Sequence, residues 1–478
     1  MKTGDDYFDS KEFQELLETY EKAVNAGQPV FMDAEELAEI ADYYQMQGHL
    51  EEAEKTIQLA LSLAPGAIAP LTYRIHEALY NGDTKAAWDY LGQIIETDEP
   101  DYIYDRGEIM IVEGRIDEAD SYFREELKNV PQEEYQDYVI DVASIYSDYN
   151  FSDKAMEWMT LAKQEESPDF KELMARTLFG LGKYKASEKL FNELIDTDPF
   201  QKRYWNALAS AQFMNEDYSN AITSSEYAIA IDPNDPDAVS SKASGLFRLG
   251  NYEQALKYFK MYSELVPDDE FGLLHQGVCL VNMNRNEEAL PPLRMALAVA
   301  PKDSPLLANI YQELAFCYSA MHQVKQALEM LDKTETLPCD HTDMLVVRGH
   351  ILLQNDQVNR AEEAFKMAIM KSDNSPAIML RIIVSLYDNR YTQACYQMLV
   401  KFFAMVHEYY PDYKSGNAYM ALCCYDLGRS DEFMKYLRLA VEQDPKEAQS
   451  VLSCLFPEAT PVRDYVPYME QRLHISPE

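Results

Sequence analysis

At 478 residues and 47% apolar, the chain has length for about three ordinary domains and enough material to bury a core. Its formal net charge of −40 argues against nucleic acid or an anionic membrane surface as a main partner, since both repel an acidic protein. Glycines are few at 17, tyrosine is abundant at 34 and β-branched runs are rare, so an all-helical protein is expected. The opening MKTGDDYFDS is acidic and lacks the apolar stretch of a secretory signal, and no run of about 18 apolar residues could span a membrane. The seven cysteines (Cys279, Cys317, Cys339, Cys395, Cys423, Cys424 and Cys454) are odd in number and form no CxxC pair. A reducing compartment fits them, so a cytoplasmic location is expected.

In chain order, residues 9 to 26 read as a lone helix, opened by Asp9 and Glu12 at capping-box spacing and carrying Leu16, Tyr20 and Ala23 on one face. From residue 34 one spacing returns: GHLEEAEKTIQLALSLAP at 48–65, GRIDEADSYFREELKNVP at 114–131, EDYSNAITSSEYAIAIDP at 216–233 and GNYEQALKYFKMYSELVP at 250–267. The repeat is 34 residues long, with starts near 34, 68, 100, 136, 168, 202, 236, 270, 308, 342, 375 and 414. Apolar residues at local positions 4, 7, 8 and 11 share one face of a first helix, and those at 20, 24 and 27 one face of a second. Small residues at 8 and 20, such as Ala243 and Ala255, let the two helices approach closely. Glycine at 15 (Gly250) frees the turn, and proline at 32 (Pro267) stops the second helix.

Some repeats depart from the pattern. Arg74 and Ile75 stand at positions 7 and 8 of the second, and Ser187 at 20 of the fifth. Pro291 and Pro292 inside the eighth predict a kink or a delayed start. In the eleventh, VKFFAMVHEYYP runs past the usual stop to Pro411. Extra residues before the ninth and twelfth repeats predict a longer helix or loop, or a change in superhelix pitch, at each place. Residues 446 to 473 read as a half-repeat plus a last helix started by Thr460 and Pro461. The expected organisation is a capping helix over 1–33, a repeat array over 34–445 and capping helices over 446–478.

This pattern resembles the tetratricopeptide repeat (TPR) family, and most of all bacterial proteins made of such repeats alone. The resemblance implies an all-α, right-handed superhelical solenoid of about twelve helix-turn-helix repeats with helical caps, whose concave groove binds a protein or peptide.

In that family local positions 2, 5, 6, 9, 12 and 13 face the groove. In the first four repeats they include Glu39, Asp42, Tyr73, His76, Tyr80, Tyr104, Asp105, Glu108, Asp141 and Asp148, with no Lys or Arg. Glu39, Asp42, Asp105, Glu108 and Asp141 are expected to form one acidic stripe, interrupted by aromatic residues but by no base. Residues 1 to 170 hold 40 acids and 12 bases, a net of −28, which leaves only −12 for the rest of the chain. A basic or extended segment would relieve such crowding, and tyrosines could pack on its Lys or Arg stems. Repeats five to seven offer a second, more neutral patch of Arg176, Arg203, Asn206, Phe213, Phe247 and Arg248. From the eighth repeat the same positions turn apolar: Phe271, Leu274, Phe316, Val346, Ile383, Leu386 and Tyr419. Left open, that surface could serve self-association.

No catalytic, metal or cofactor motif is expected. GxxxxGK[ST], HExxH and GxSxG are absent. DPNDPD at 232–237 lacks the Gly and Glu of a calcium loop, and Cys339 and His341 have no second pair to complete a zinc site. Adjacent Cys423 and Cys424 face different ways on a helix, so one is expected in the core. No three successive repeats carry the lysine and asparagine set with which TPR co-chaperones grip a C-terminal carboxylate. The expected function is a non-catalytic scaffold that takes a protein or peptide. The alternative is a regulatory sensor whose superhelix changes pitch on binding a signalling peptide.

Overall fold

The computed structural model describes residues 5–8, 10–163, 167–457 and 460–473, which form helices and turns with no strand. The chain divides into two units, Met1–Ser224 and Ser225–Glu478. The first holds α1 (Asp5–Phe8), α2 (Lys11–Asn25), α3 (Ala34–Met46), α4 (Leu50–Leu63), α5 (Ile68–Tyr80), α6 (Thr84–Leu91), α7 (Pro100–Val112), α8 (Ile116–Glu126), α9 (Tyr135–Asp148), α10 (Ser152–Met159), α11 (Pro168–Gly180), α12 (Tyr184–Thr197) and α13 (Lys202–Met214), and ends within α14 (Tyr218–Ile231). The second continues with α15 (Pro236–Arg248), α16 (Tyr252–Leu265), α17 (Glu270–Asn282), α18 (Asn286–Val299), α19 (Leu307–Ala320), α20 (Val324–Lys333), α21 (His341–Gln354), α22 (Val358–Lys371), α23 (Pro376–Asp388), α24 (Thr392–Tyr409), α25 (Asn417–Asp426), α26 (Ser430–Gln443), α27 (Pro445–Leu452) and α28 (Tyr465–Arg472). From α3 to α12 in the first unit, and from α15 to α26 in the second, they pair two by two, first helix against second, in the expected register.

Each pair turns on one residue in the left-handed region. After α3 it is Gly48, with φ at +75°; its N–H bonds to Gln45 C=O at 3.0 Å and the next N–H, of His49, reaches Tyr44 C=O at 2.8 Å. These bonds satisfy carbonyls that the helix end would leave orphaned. The same local position has positive φ in every repeat. Glycine supplies it at 48, 82, 114, 182, 250 and 428, whereas Asn150, Glu216, Asn284, His322, Asp356 and Arg390 adopt it against their Cβ. Turn geometry is therefore common to all repeats although the glycine is not.

Packing follows the small positions. Ala41 and Ala53 of α3 and α4, and Ala243 and Ala255 of α15 and α16, are buried on helices that pack as pairs, and Ala209 and Ala221 are buried too. At the fifth repeat Ser187 fills the alanine slot, and its hydroxyl donates to the Ala175 carbonyl across the pair at 2.8 Å. Arg74 of α5 is held by Glu54 at 2.7 Å and Glu77 at 2.6 Å, while Ile75 enters the core.

Several expectations are corrected. Helix α18 starts on register with Pro291 and Pro292 inside it, so its start is not delayed. The two lost hydrogen bonds would have ended on the carbonyls of Glu287 and Glu288, exposed residues that water can serve. The extra residues before the ninth repeat form a loop, and those before the twelfth lengthen α24 to 18 residues. Ser10 caps α2, accepting from Phe13 N–H at 3.2 Å; Asp9, expected in that role, lies outside the described residues. A capping box does form at α3, between Asp33 and Glu36. Helix α28 begins only after a 3₁₀ turn at Val462–Asp464, beyond Thr460 and Pro461.

The apolar positions of the C-terminal unit are covered within it. Leu274, Val346 and Ile383 are buried, and Phe271, Phe316, Leu386 and Tyr419 are partly buried against the same cores. None of the seven is fully exposed, and what remains accessible is confined to the four partly buried ones. Cys423 and Cys424 are both fully buried, because neighbours cover α25 on two sides. Cys423 lies 3.2 Å from Cys395 of α24, while Cys424 faces Glu432 of α26.

Candidate functional site

Helices α3, α5, α7 and α9 are first helices of successive repeats, and each packs on the next. Their positions three and four apart share a face, so the polar groove positions of one helix line up beside those of its neighbour. The result is a cleft of about 1100 Å³ inside the N-terminal unit. Nine of the ten residues expected in the first patch line it: Asp42, Tyr73, His76, Tyr80, Tyr104, Asp105, Glu108, Asp141 and Asp148. Glu39 does not; its carboxylate accepts from the Tyr7 hydroxyl at 2.6 Å. Glu77, Glu99 and Asp101 bring the lining carboxylates to eight, and no Lys or Arg is among the described lining residues.

These side chains are not equivalent. Tyr80 is 93% exposed, whereas Tyr73 is buried among Ala38, Ala41 and Ile57 and offers the cleft only an edge. Asp105 is 2% exposed. Its Oδ2 accepts from the Thr72 hydroxyl at 2.6 Å, and its Oδ1 lies 3.2 Å from His76 Nε2. Glu108 Oε2 approaches the same nitrogen to 3.1 Å. Burial would pull the His76 imidazolium down, but the two carboxylates outweigh it and raise the group to about 10. The acidic stripe is thus broken by a base after all. From sequence His76 counts only as an aromatic residue, because its charge depends on neighbours from another helix.

Burial pushes Asp105 upward, against the pull of His76 and Thr72. Asp42 is raised to about 6 by burial, with the His76 cation opposing and Glu39 adding to the rise. The Tyr104 hydroxyl donates to Asp141 Oδ2 at 2.9 Å. Burial and that carboxylate push the phenol far above its ordinary range. Burial also raises Asp141, and the Tyr104 bond works against the rise. At the cleft's edge Asp148 is ion-paired with Arg176.

The second patch is not assembled within one unit. Arg176, Arg203, Asn206 and Phe213 belong to the N-terminal unit, Phe247 and Arg248 to the C-terminal one. Arg203 pairs with Glu172 at 3.2 Å and lies over the Tyr204 ring. Phe247 packs against Tyr252 and edge-on to His275. Thr72 also lines the cleft; it holds groove position 5 of its repeat, but its neutral side chain carries no charge signal in the sequence. Glu77 and Glu99 lie outside the groove positions and carried no signal.

Two segments, residues 173–236 and 420–447, match family models described as tetratricopeptide repeat, and residues 214–296 match one described as anaphase-promoting complex, cyclosome, subunit 3. With the helix pairs of α3–α12 and α15–α26, they make this a tetratricopeptide repeat protein, all-helical in class. Among curated relatives, Protein FlbA of Caulobacter vibrioides is 28% identical over 158 residues, 32% of this chain and 26% of that protein. Protein O-mannosyl-transferase TMTC3 of Homo sapiens is 23% identical over 181 residues, 36% of this chain and 20% of that protein. The chain thus matches about a quarter or less of these relatives' own length. The crystal structure of yeast Tom70 is 14% identical, covering 93% of this chain and 99% of that one, with a TM-score of 0.43. No helix among the described residues is long and apolar enough to cross a membrane.

Proposed function

We propose that this chain is a non-catalytic protein-binding scaffold whose N-terminal cleft takes a basic, extended protein segment. The observation that carries this reading is the cleft's lining of eight carboxylates with no Lys or Arg among its described residues. Low-dielectric walls concentrate the field of such a lining, and a cationic segment is the ligand that relieves it. Exposed Tyr80 offers a ring face for a Lys or Arg stem. The seven free thiols support a reducing, cytoplasmic setting.

The test is fluorescence anisotropy of a labelled Lys/Arg-rich peptide with the full chain. Affinity should fall steeply toward physiological salt, where charges are screened over ~8 Å. Double reversal at Asp101 and Asp141 should weaken binding more than reversal at Glu51 and Glu52, exposed residues of α4 away from the cleft. Both variants change the net charge equally, so equal losses would reduce the effect to bulk charge and sink the proposal. Asp105 is unsuited to the comparison because it is buried against Thr72 and His76.

A further inference from the structure

We infer that His76, Asp105 and Glu108 form a binding site for a divalent transition-metal cation of the zinc class at the wall of the cleft. The inference stands apart from the peptide reading, and the sequence offered no hint of it. His76 is on α5 and the two carboxylates are on α7, so only the packing of two repeats brings them together.

One donor atom from each side chain falls in a group whose members all lie within 4.8 Å of one another. His76 Nε2 is 3.2 Å from Asp105 Oδ1 and 3.1 Å from Glu108 Oε2. Bonds of ~2.0–2.2 Å around one zinc-class ion separate neighbouring ligand atoms by roughly 3.0–3.5 Å. The two nitrogen–oxygen edges already have that length. An ion pair alone leaves a defect: Glu108 Oε2 is buried yet receives no aligned donor. A single Nε2–H cannot point at two carboxylates, whereas a cation would satisfy both oxygens at once.

Outer-shell order is also present. Thr72 donates to Asp105 Oδ2, which fixes the carboxylate and leaves Oδ1 turned toward the imidazole. Asp105 and Glu108 are three residues apart on one helix face, a rigid mount for two ligands. Binding displaces the Nε2 proton of His76 to solvent; the neutral imidazole and two carboxylates then balance a dipositive ion, and the nitrogen donor favours Zn²⁺ or Co²⁺ over Mg²⁺. The His76 side chain is half exposed, so the remaining coordination positions open toward the cleft.

The test uses the full chain, stripped with a chelator and dialysed. Titration with Co²⁺ should produce a visible d–d band, and calorimetry with Zn²⁺ should show a cleft site that saturates at about one equivalent. His76→Ala and Glu108→Gln should each weaken Zn²⁺ binding by at least about tenfold. His76 is half exposed, so its variant should keep the parent's circular dichroism. Glu51→Gln with Glu52→Gln should leave binding unchanged. Absence of a cobalt band, affinity that survives His76→Ala, or displacement by an equal concentration of Mg²⁺ would each overturn the site and leave only diffuse attraction to acids. A metal site that fails here leaves the peptide reading standing, since that rests on anisotropy with no metal present.

Discussion

Gly107 lies on α7 between Asp105 and Glu108, and Gly107→Ala probes both the packing beneath the cleft and the site above it. An added Cβ would stand 1.9 Å from Phe123 Cζ and 2.5 and 2.7 Å from its Cε atoms. The ring belongs to α8, the second helix of the same repeat, and is fully buried. It has nowhere to retreat, being edge-on to Tyr146 at 6.0 Å and to Trp158 at 6.3 Å. Overpacking of this kind costs about 1–3 kcal/mol. Replacing a mid-helix glycine by alanine returns ~0.5–1 kcal/mol. The balance is a loss of roughly 0–2.5 kcal/mol, centred on about 1 kcal/mol, or a few degrees of Tm at ~2–4 °C per kcal/mol for a unit of this size. Urea unfolding followed by circular dichroism and tryptophan fluorescence measures it. Adding Phe123→Leu should make Gly107→Ala less costly than it is alone, because the atom that clashes is gone. A Gly107→Ala variant more stable than the parent by the full helix-propensity gain, or one whose cost Phe123→Leu does not reduce, would refute the close approach of α7 and α8.

The shared turn gives a matched pair. Gly250→Ala has open space around the new Cβ, so its cost is the left-handed backbone itself, ~1–2 kcal/mol less the ~0.5–1 returned by the unfolded chain. Arg390→Gly, at φ +64°, should gain a similar net amount, and shifts of the same sign in thermal melts of the two variants would contradict a common turn geometry. For pH, His76 at about 10 lies above its ordinary 6.5, so the folded state holds the proton more tightly. That contribution is complete below pH 6.5 and is lost as pH rises toward 10. Tm should therefore fall between about pH 7 and 10, with a shallower fall in His76→Ala; identical profiles would remove the charge from His76.

The helical repeat was legible because each signal is local. Apolar residues three and four apart, an alanine where two helices cross and a proline at the end act within one 34-residue segment. The starts read near 68, 202 and 270 appear as helices opening at Ile68, Lys202 and Glu270. The groove register comes from the family resemblance, and nine of the residues it marks in the first four repeats line the cleft. Properties set between repeats were not legible. The charge of His76 depends on carboxylates a whole repeat away, Asp105 is buried only because α5 covers it, and Cys424 is core only because α26 closes over α25. Whether the apolar positions from Phe271 to Tyr419 lie open or covered is not legible in the sequence; neighbouring helices bury Leu274, Val346 and Ile383 and partly cover the others. Periodicity determines which face of a helix turns inward. How completely neighbours enclose that face, and which charges meet there, depends on packing across repeats, and only the tertiary structure decides it.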